Sequence, residues 1–104
     1  MKESHIQKQI VEWLGYNGWV VIETSQRGHD WGTKGSPDVI ATKSTTWLAS
    51  NMATHRYART LWIECKGPRG TQSEKQIEMQ RKLESVGAEY LLANSLDVVM
   101  DYLM

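Results

Sequence analysis

At 104 residues, with 12 basic and 12 acidic side chains, the chain fits one domain spanning 1–104 with a core of its own. No apolar run reaches the ~18–20 residues needed to cross a bilayer. No apolar signal segment follows Met1. The single cysteine, Cys65, excludes an intrachain disulfide and points to a reducing compartment, hence a cytoplasmic location.

The zero net charge hides a segregation. Residues 1–23 sum to −1, and residues 73–104, with three cations against six acids, sum to −3. Between them, residues 24–72 hold seven cations against Asp30, Asp38 and Glu64, a sum of +4.

In chain order, Ile6, Ile10, Trp13 and Leu14 repeat at helical spacing and predict a helix over residues 3–16. Gly15, Asn17 and Gly18 end it. The run Trp19-Val20-Val21-Ile22 predicts a buried strand. Residues 24–36 read as a polar, glycine-bearing loop. Pro37 then opens a strand through Val39, Ile40 and Ala41. Residues 44–59 either extend the flanking strands or form a loop. Leu61 to Lys66 alternates with period two, placing Leu61, Ile63 and Cys65 on one side and Trp62, Glu64 and Lys66 on the other. A second helix is expected over 73–86, closed by Gly87, then a strand Tyr90-Leu91-Leu92-Ala93. A last helix, capped by Asn94 or Ser95, carries Val98, Val99, Tyr102 and Leu103. The order α-β-β-β-α-β-α implies an α/β fold, a mixed sheet flanked by helices.

The residues that concentrate chemistry are Asp38 and the Glu64-Cys65-Lys66 run. If their strands pair, the two carboxylates converge beside a lysine. One or two carboxylates suffice for Mg²⁺, which leaves other positions to water and phosphate oxygens. Such an ion activates water and polarises a phosphoryl group, and Lys66 is placed to offset developing negative charge. The competing reading is a surface Glu-Lys pair with Asp38 in a turn.

The set Gly35-Ser36-Pro37-Asp38, Ile63-Glu64-Cys65-Lys66, Ser73-x-x-Gln76 and Leu83-x-x-x-Gly87 resembles the VRR-NUC family (virus-type replication-repair nucleases) of the PD-(D/E)XK superfamily. The resemblance runs from Glu3 to Val99. It implies a restriction-endonuclease-like αβββαβ core with a C-terminal helix, and Mg²⁺- or Mn²⁺-dependent hydrolysis of DNA. Asp38, Glu64 and the backbone carbonyl of Cys65 are then the metal ligands, with Lys66 catalytic. The Cys65 side chain is expected to pack in the core. Glu3 matches a family glutamate near the start of the first helix; it is either a further metal-site carboxylate or a first-turn acid facing the helix dipole. Gln76 matches a family glutamine near the catalytic lysine, and Ser73-x-x-Gln76 is equally a capping box. Gln80 is an additional candidate on the same helix.

The cations flanking these motifs, Arg27, Lys34, Arg56, Arg59 and Arg69, are candidate phosphate contacts, accompanied in the loops by Ser25, Gln26, His29 and Asp30. Trp47 lies in a polar segment and suits an interface. The expected function is structure-selective cleavage of branched DNA. Four-way (Holliday) junctions cut by a homodimer come first, since twofold protein symmetry matches twofold DNA symmetry. Location would be the bacterial host cytoplasm for a phage-encoded chain. The alternatives are a monomeric nuclease acting on flaps, or a non-catalytic DNA-binding module on the same fold. No membrane partner is expected.

Overall fold

The computed structural model describes residues 1–26, 29–30 and 34–104, with the backbone alone for 25, 26, 29 and 30. The stripe Ile6, Ile10 and Leu14 folds as predicted into α1 (Glu3–Tyr16), and all three side chains are buried. Each contributes roughly 1.5–3 kcal/mol by leaving water. Then follow β1 (Val20–Glu23), the two-residue strands β2 (Ser25–Gln26) and β3 (His29–Asp30), β4 (Val39–Leu48), β5 (Thr54–Cys65), α2 (Glu74–Ser85), β6 (Glu89–Ala93) and α3 (Leu96–Leu103). The four longer strands form one sheet in the order β1-β4-β5-β6, and β2 pairs with β3 as a separate ribbon. β4 runs antiparallel to β1 and β5, whereas β6 is parallel to β5. A small α/β fold with a mixed sheet flanked by helices is therefore observed.

Alternation sets the core. Val39, Ala41, Leu61, Ile63 and Cys65 are fully buried and join the α1 stripe, Trp19, Ala93 and Val99. α1 and α3 pack against each other there, while α2 packs against β6. No helix among the described residues is long and apolar enough to cross a membrane.

Three regions depart from the sequence reading or complete it. The segment expected as a polar loop over 24–36 holds the short β2–β3 ribbon, Ser25 opposite Asp30 and Gln26 opposite His29. The run 19–22 is not a buried strand throughout. Trp19 is buried, but Val20 is 63% and Ile22 54% exposed. β1 is an edge strand, and alternation turns these two away from the layer that receives α1. The 44–59 connection, in turn, extends the flanking strands. β4 and β5 pair continuously from Val39–Ile63 out to Leu48–Thr54. The hairpin closes through Ala49 and Ala53, with Asn51 Oδ1 accepting from the Ala53 amide at 3.0 Å. β1 pairs with β4 only as far as Thr42, and β6 with β5 only from Leu61. The outer half of the hairpin is thus a two-stranded arm, and the molecule measures 48 × 29 × 24 Å. Trp47 stacks on His55 across the arm, ring centroids 4.7 Å apart.

Candidate active site

Val39 stands opposite Ile63, so Asp38 falls beside the Glu64–Cys65 peptide. The contact is direct: the Cys65 amide donates to Asp38 Oδ2 at 2.8 Å. Asp38 is held from the other side as well. Its carbonyl accepts from the Thr24 amide at 2.9 Å, and the Thr24 hydroxyl donates to the Pro37 carbonyl. Gly35 explains how the preceding loop reaches this place. It has φ +86°, and a Cβ there would lie 2.4 Å from the Lys75 carbonyl oxygen. Only glycine lets the Gly35-Ser36-Pro37-Asp38 segment lie on the first turn of α2.

Glu64 is fully buried, the only charged side chain among the described residues that is. Neither carboxylate oxygen has a hydrogen-bond partner. Burial raises its pKa; Lys66, then Tyr90 and Gln72, lower it, and the Asp38 charge raises it further. Tyr90 and Gln72 therefore approach it without closing a hydrogen bond of ordinary geometry. Lys66, half-buried, leaves the strand at its last rung, its amide donating to the Ala93 carbonyl at 2.9 Å. Gly70 folds back so closely that a Cβ there would lie 3.3 Å from Lys66 Cβ.

The Cys65 side chain points into the core and is 0% exposed. Its thiol is pushed up to about 12 by burial, then by the carboxylates of Asp38, Glu3, Glu64 and Glu23. It stays a protonated packing group and not a nucleophile. The same neighbourhood locates Glu3: α1 starts beside the end of β5, where a Cβ on Gly67 would lie 3.9 Å from the Glu3 amide. Glu23, which accepts from Gln7 Nε2 at 3.0 Å, was not anticipated there.

The donor set suits a hard divalent cation. A fully buried carboxylate with no donor is stable only when a proton or cation compensates it, and an aspartate and a lysine stand next to it. Among the described residues no three His, Cys, Asp or Glu side chains group as a metal cage. Mg²⁺ does not require one, because it keeps several waters and takes one or two carboxylates.

Ser73 and Gln76 form the capping box. Gln76 Oε1 accepts from the Ser73 amide at 2.8 Å, and the Gln76 amide donates to Ser73 Oγ at 3.2 Å. That oxygen of Gln76 is therefore occupied by capping, which leaves only its NH₂ group for a role in the site. Two residues that sequence reasoning passed over, Gln72 and Tyr90, act on Glu64 by lowering its pKa, and Gln76 does not figure among its influences. Gln72 Nε2 donates to Gln80 Oε1 at 2.9 Å and to the Tyr90 hydroxyl oxygen at 3.3 Å. Tyr90 stands opposite Trp62, two residues from Glu64 on the same face, a relation that only the β5–β6 register reveals. Gln72 offered no signal, being the residue before a helix cap.

The candidate phosphate contacts separate into groups. Arg27 lies outside the described residues, as do the side chains of Ser25, Gln26, His29 and Asp30. Arg59 is not a free cation: it binds Glu89 through two hydrogen bonds of 2.8 and 2.7 Å, and its pKa is raised by that bond. Cross-sheet pairing brought it to a carboxylate that lies thirty residues away in sequence. Lys34 is exposed in a hollow lined by Lys75, Glu78, Met79 and Lys82. Arg69 is exposed in the loop after Lys66, and Arg56 is exposed on the arm. Of the six acids after residue 72, Glu74, Glu78, Glu84, Asp97 and Asp101 are exposed, and Glu89 is half-buried against Arg59. In comparisons with known proteins, the chain matches no protein-family model and no curated protein.

Proposed function

We propose that this chain is a Mg²⁺- or Mn²⁺-dependent DNA endonuclease of the VRR-NUC type, built on a PD-(D/E)XK core. The observation that carries the reading is Glu64: a fully buried carboxylate with no hydrogen-bond partner, flanked by Asp38 and Lys66. A fold has no stability reason to hold a charge that way. A site for a divalent cation does, and a non-catalytic DNA-binding module has no use for an uncompensated buried carboxylate beside a second acid.

Asp38 and Glu64 would hold the cation, with the Cys65 carbonyl as a backbone ligand; Glu3, expected as a further carboxylate, does not group with them at the start of α1. Bound there, the ion would supply a water of lowered pKa and polarise a phosphoryl oxygen. The Cys65 amide fixes the Asp38 carboxylate against β5. Lys66 places a positive charge where the scissile phosphate gains negative charge. Lys34, Arg56 and Arg69 hold the DNA through phosphates without reading sequence. Branched DNA is the proposed substrate, four-way junctions cut by a homodimer.

The test is cleavage of four-way junction, flap and duplex DNA by purified protein with Mg²⁺ or Mn²⁺, with Asp38→Ala, Glu64→Ala and Lys66→Ala as controls. Preferred cutting of the junction, lost in all three variants, is expected. Cleavage unchanged in the variants would sink the assignment, and a flap preference by a monomer in sedimentation would replace the junction reading.

A further inference from the structure

Two hydrogen bonds fix the direction of a third. Gln72 Nε2 carries two protons. One goes to Gln80 Oε1 at 2.9 Å and the other to the Tyr90 hydroxyl oxygen at 3.3 Å. The Tyr90 oxygen is thereby engaged as an acceptor, so its own proton must point elsewhere. Tyr90 is 9% exposed, which leaves water little access. It sits on β6 opposite Trp62, on the same face of the sheet as Glu64 and one diagonal step away, within reach of a long aromatic side chain. Glu64 is the buried acceptor there: Tyr90 and Gln72 both approach it, and neither closes a hydrogen bond of ordinary geometry.

We infer that Tyr90 is a positioning residue for Glu64, its hydroxyl aimed by Gln72 and Gln80 so that it steadies one carboxylate oxygen while the other meets the cation. This rests on the proposed metal site. Carboxylates that bind metals are oriented by hydrogen bonds from behind, and losing such a partner costs about 10–100-fold in metal affinity or activity. A phenolic hydroxyl is a hydrogen-bond donor at neutral pH. The device spans three elements: Gln72 precedes α2, Gln80 lies on it, and Tyr90 belongs to β6. It therefore ties the packing of α2 to the orientation of one metal ligand.

The experiment is calorimetric titration of the full chain with Mn²⁺, for wild type, Tyr90→Phe, Gln72→Met and Glu64→Gln. Tyr90→Phe is expected to weaken Mn²⁺ binding about tenfold, Gln72→Met by less, and Glu64→Gln to abolish it. Cleavage by Tyr90→Phe should return to the wild-type rate at high Mn²⁺, a rescue that a general packing defect does not give. Wild-type Mn²⁺ affinity in Tyr90→Phe overturns the inference. If wild type itself binds no Mn²⁺, the metal reading fails instead. The orienting role is then judged by thermal unfolding in chelator of Tyr90→Phe, Glu64→Gln and the double variant. Non-additive changes in melting temperature uphold it, and strictly additive ones overturn it.

Discussion

The backbone amide of Cys65 donates to Asp38 Oδ2 at 2.8 Å, so one acidic residue of the candidate site is anchored to the peptide that follows the other. The bond joins the first residue before β4 to the last residue of β5. It serves architecture and site at once, and the two roles are separable. Asp38→Asn keeps an oxygen to accept from Cys65 and removes the charge. Asp38→Ala removes both, and a hydrogen bond to a charged group is worth about 1.5–3 kcal/mol. The expectation is that both variants lose cleavage by about 10³-fold, since several kcal/mol of metal-derived stabilisation disappear at ~1.4 kcal/mol per decade. Only Asp38→Ala should also lower the melting temperature appreciably. Calorimetric melts beside a cleavage assay check it; equal melting of the two variants would mean the Cys65 contact does not stabilise the fold.

Glu64 gives the pH dependence. Burial raises its pKa above the ordinary 4.5, so around and above that value the folded chain holds a proton that the unfolded chain releases. The stability from this group is full below the ordinary value and is lost as pH rises through the raised one. Glu64→Gln removes the penalty. In chelator at pH 8 the variant should melt higher than wild type, by a few degrees if the gain is about 1 kcal/mol, and the difference should shrink toward pH 4. Added Mn²⁺ should raise the melting temperature of wild type alone. A variant that melts lower than wild type at pH 8 in chelator would contradict the picture of an uncompensated buried carboxylate.

Lys66 separates binding from chemistry. Its charge lowers the pKa of Glu64, so it competes mildly with a cation at the same carboxylate. Lys66→Ala should leave Mn²⁺ affinity undiminished while the cleavage rate falls by about 10²–10³, the scale of losing one preorganised electrostatic group. Calorimetry paired with single-turnover cleavage distinguishes this from a structural defect, which would reduce both together.

Local patterns carried the helices and the longer strands. Period two along Leu61–Lys66 placed Cys65 in the core and Glu64 on the opposite face, and the stripe Ile6, Ile10 and Leu14 is buried as its spacing demands. Relations that depend on pairing were not legible. Arg59 looked like a free phosphate contact, because its partner Glu89 lies on a strand reached only through the parallel β5–β6 register. Val20 and Ile22 looked buried, because four consecutive apolar residues do not say which strand stands at an edge. Gln72 and Tyr90 carry no motif, and their link exists only once α2 and β6 are packed. The candidacy of Glu64 rests on Pro37-Asp38 and Glu64-x-Lys66, whose spacing shows convergence only if β4 and β5 pair. They do, from Val39–Ile63 outward.

Gly35 is the test of how the loop before Asp38 is seated. Its φ of +86° and the 2.4 Å approach of a built Cβ to the Lys75 carbonyl leave no room for a side chain. The clash is with backbone, which cannot swing aside. Gly35→Ala should destabilise by about 1–3 kcal/mol, shift the first turn of α2, and lower cleavage more than its effect on stability explains. Unchanged melting would show that the loop has another seat.

The arm supplies the last prediction. From Val39 to Ile63 there is no acidic residue, and the outer hairpin exposes Arg56 beside half-exposed Trp47 and Tyr57. Ten strand residues at ~3.4 Å each put Leu48 roughly 34 Å from Asp38, about one turn of duplex DNA. A duplex phosphate or base one turn from the cut therefore lies within the arm's reach. Arg56→Ala should weaken DNA binding at low salt and reduce the slope of log affinity against log salt by about one, while leaving Mn²⁺ affinity unchanged. Trp47→Ala, which also breaks the stack on His55, should weaken junction binding by about 1–3 kcal/mol if its ring stacks on a base. It should do so without changing the salt slope, because stacking releases no counterions. Filter binding across 50–200 mM salt separates the two. Wild-type affinity in both variants, together with a monomer in Trp47→Ala where wild type is a dimer, would assign the arm to a second copy of the chain instead of to DNA.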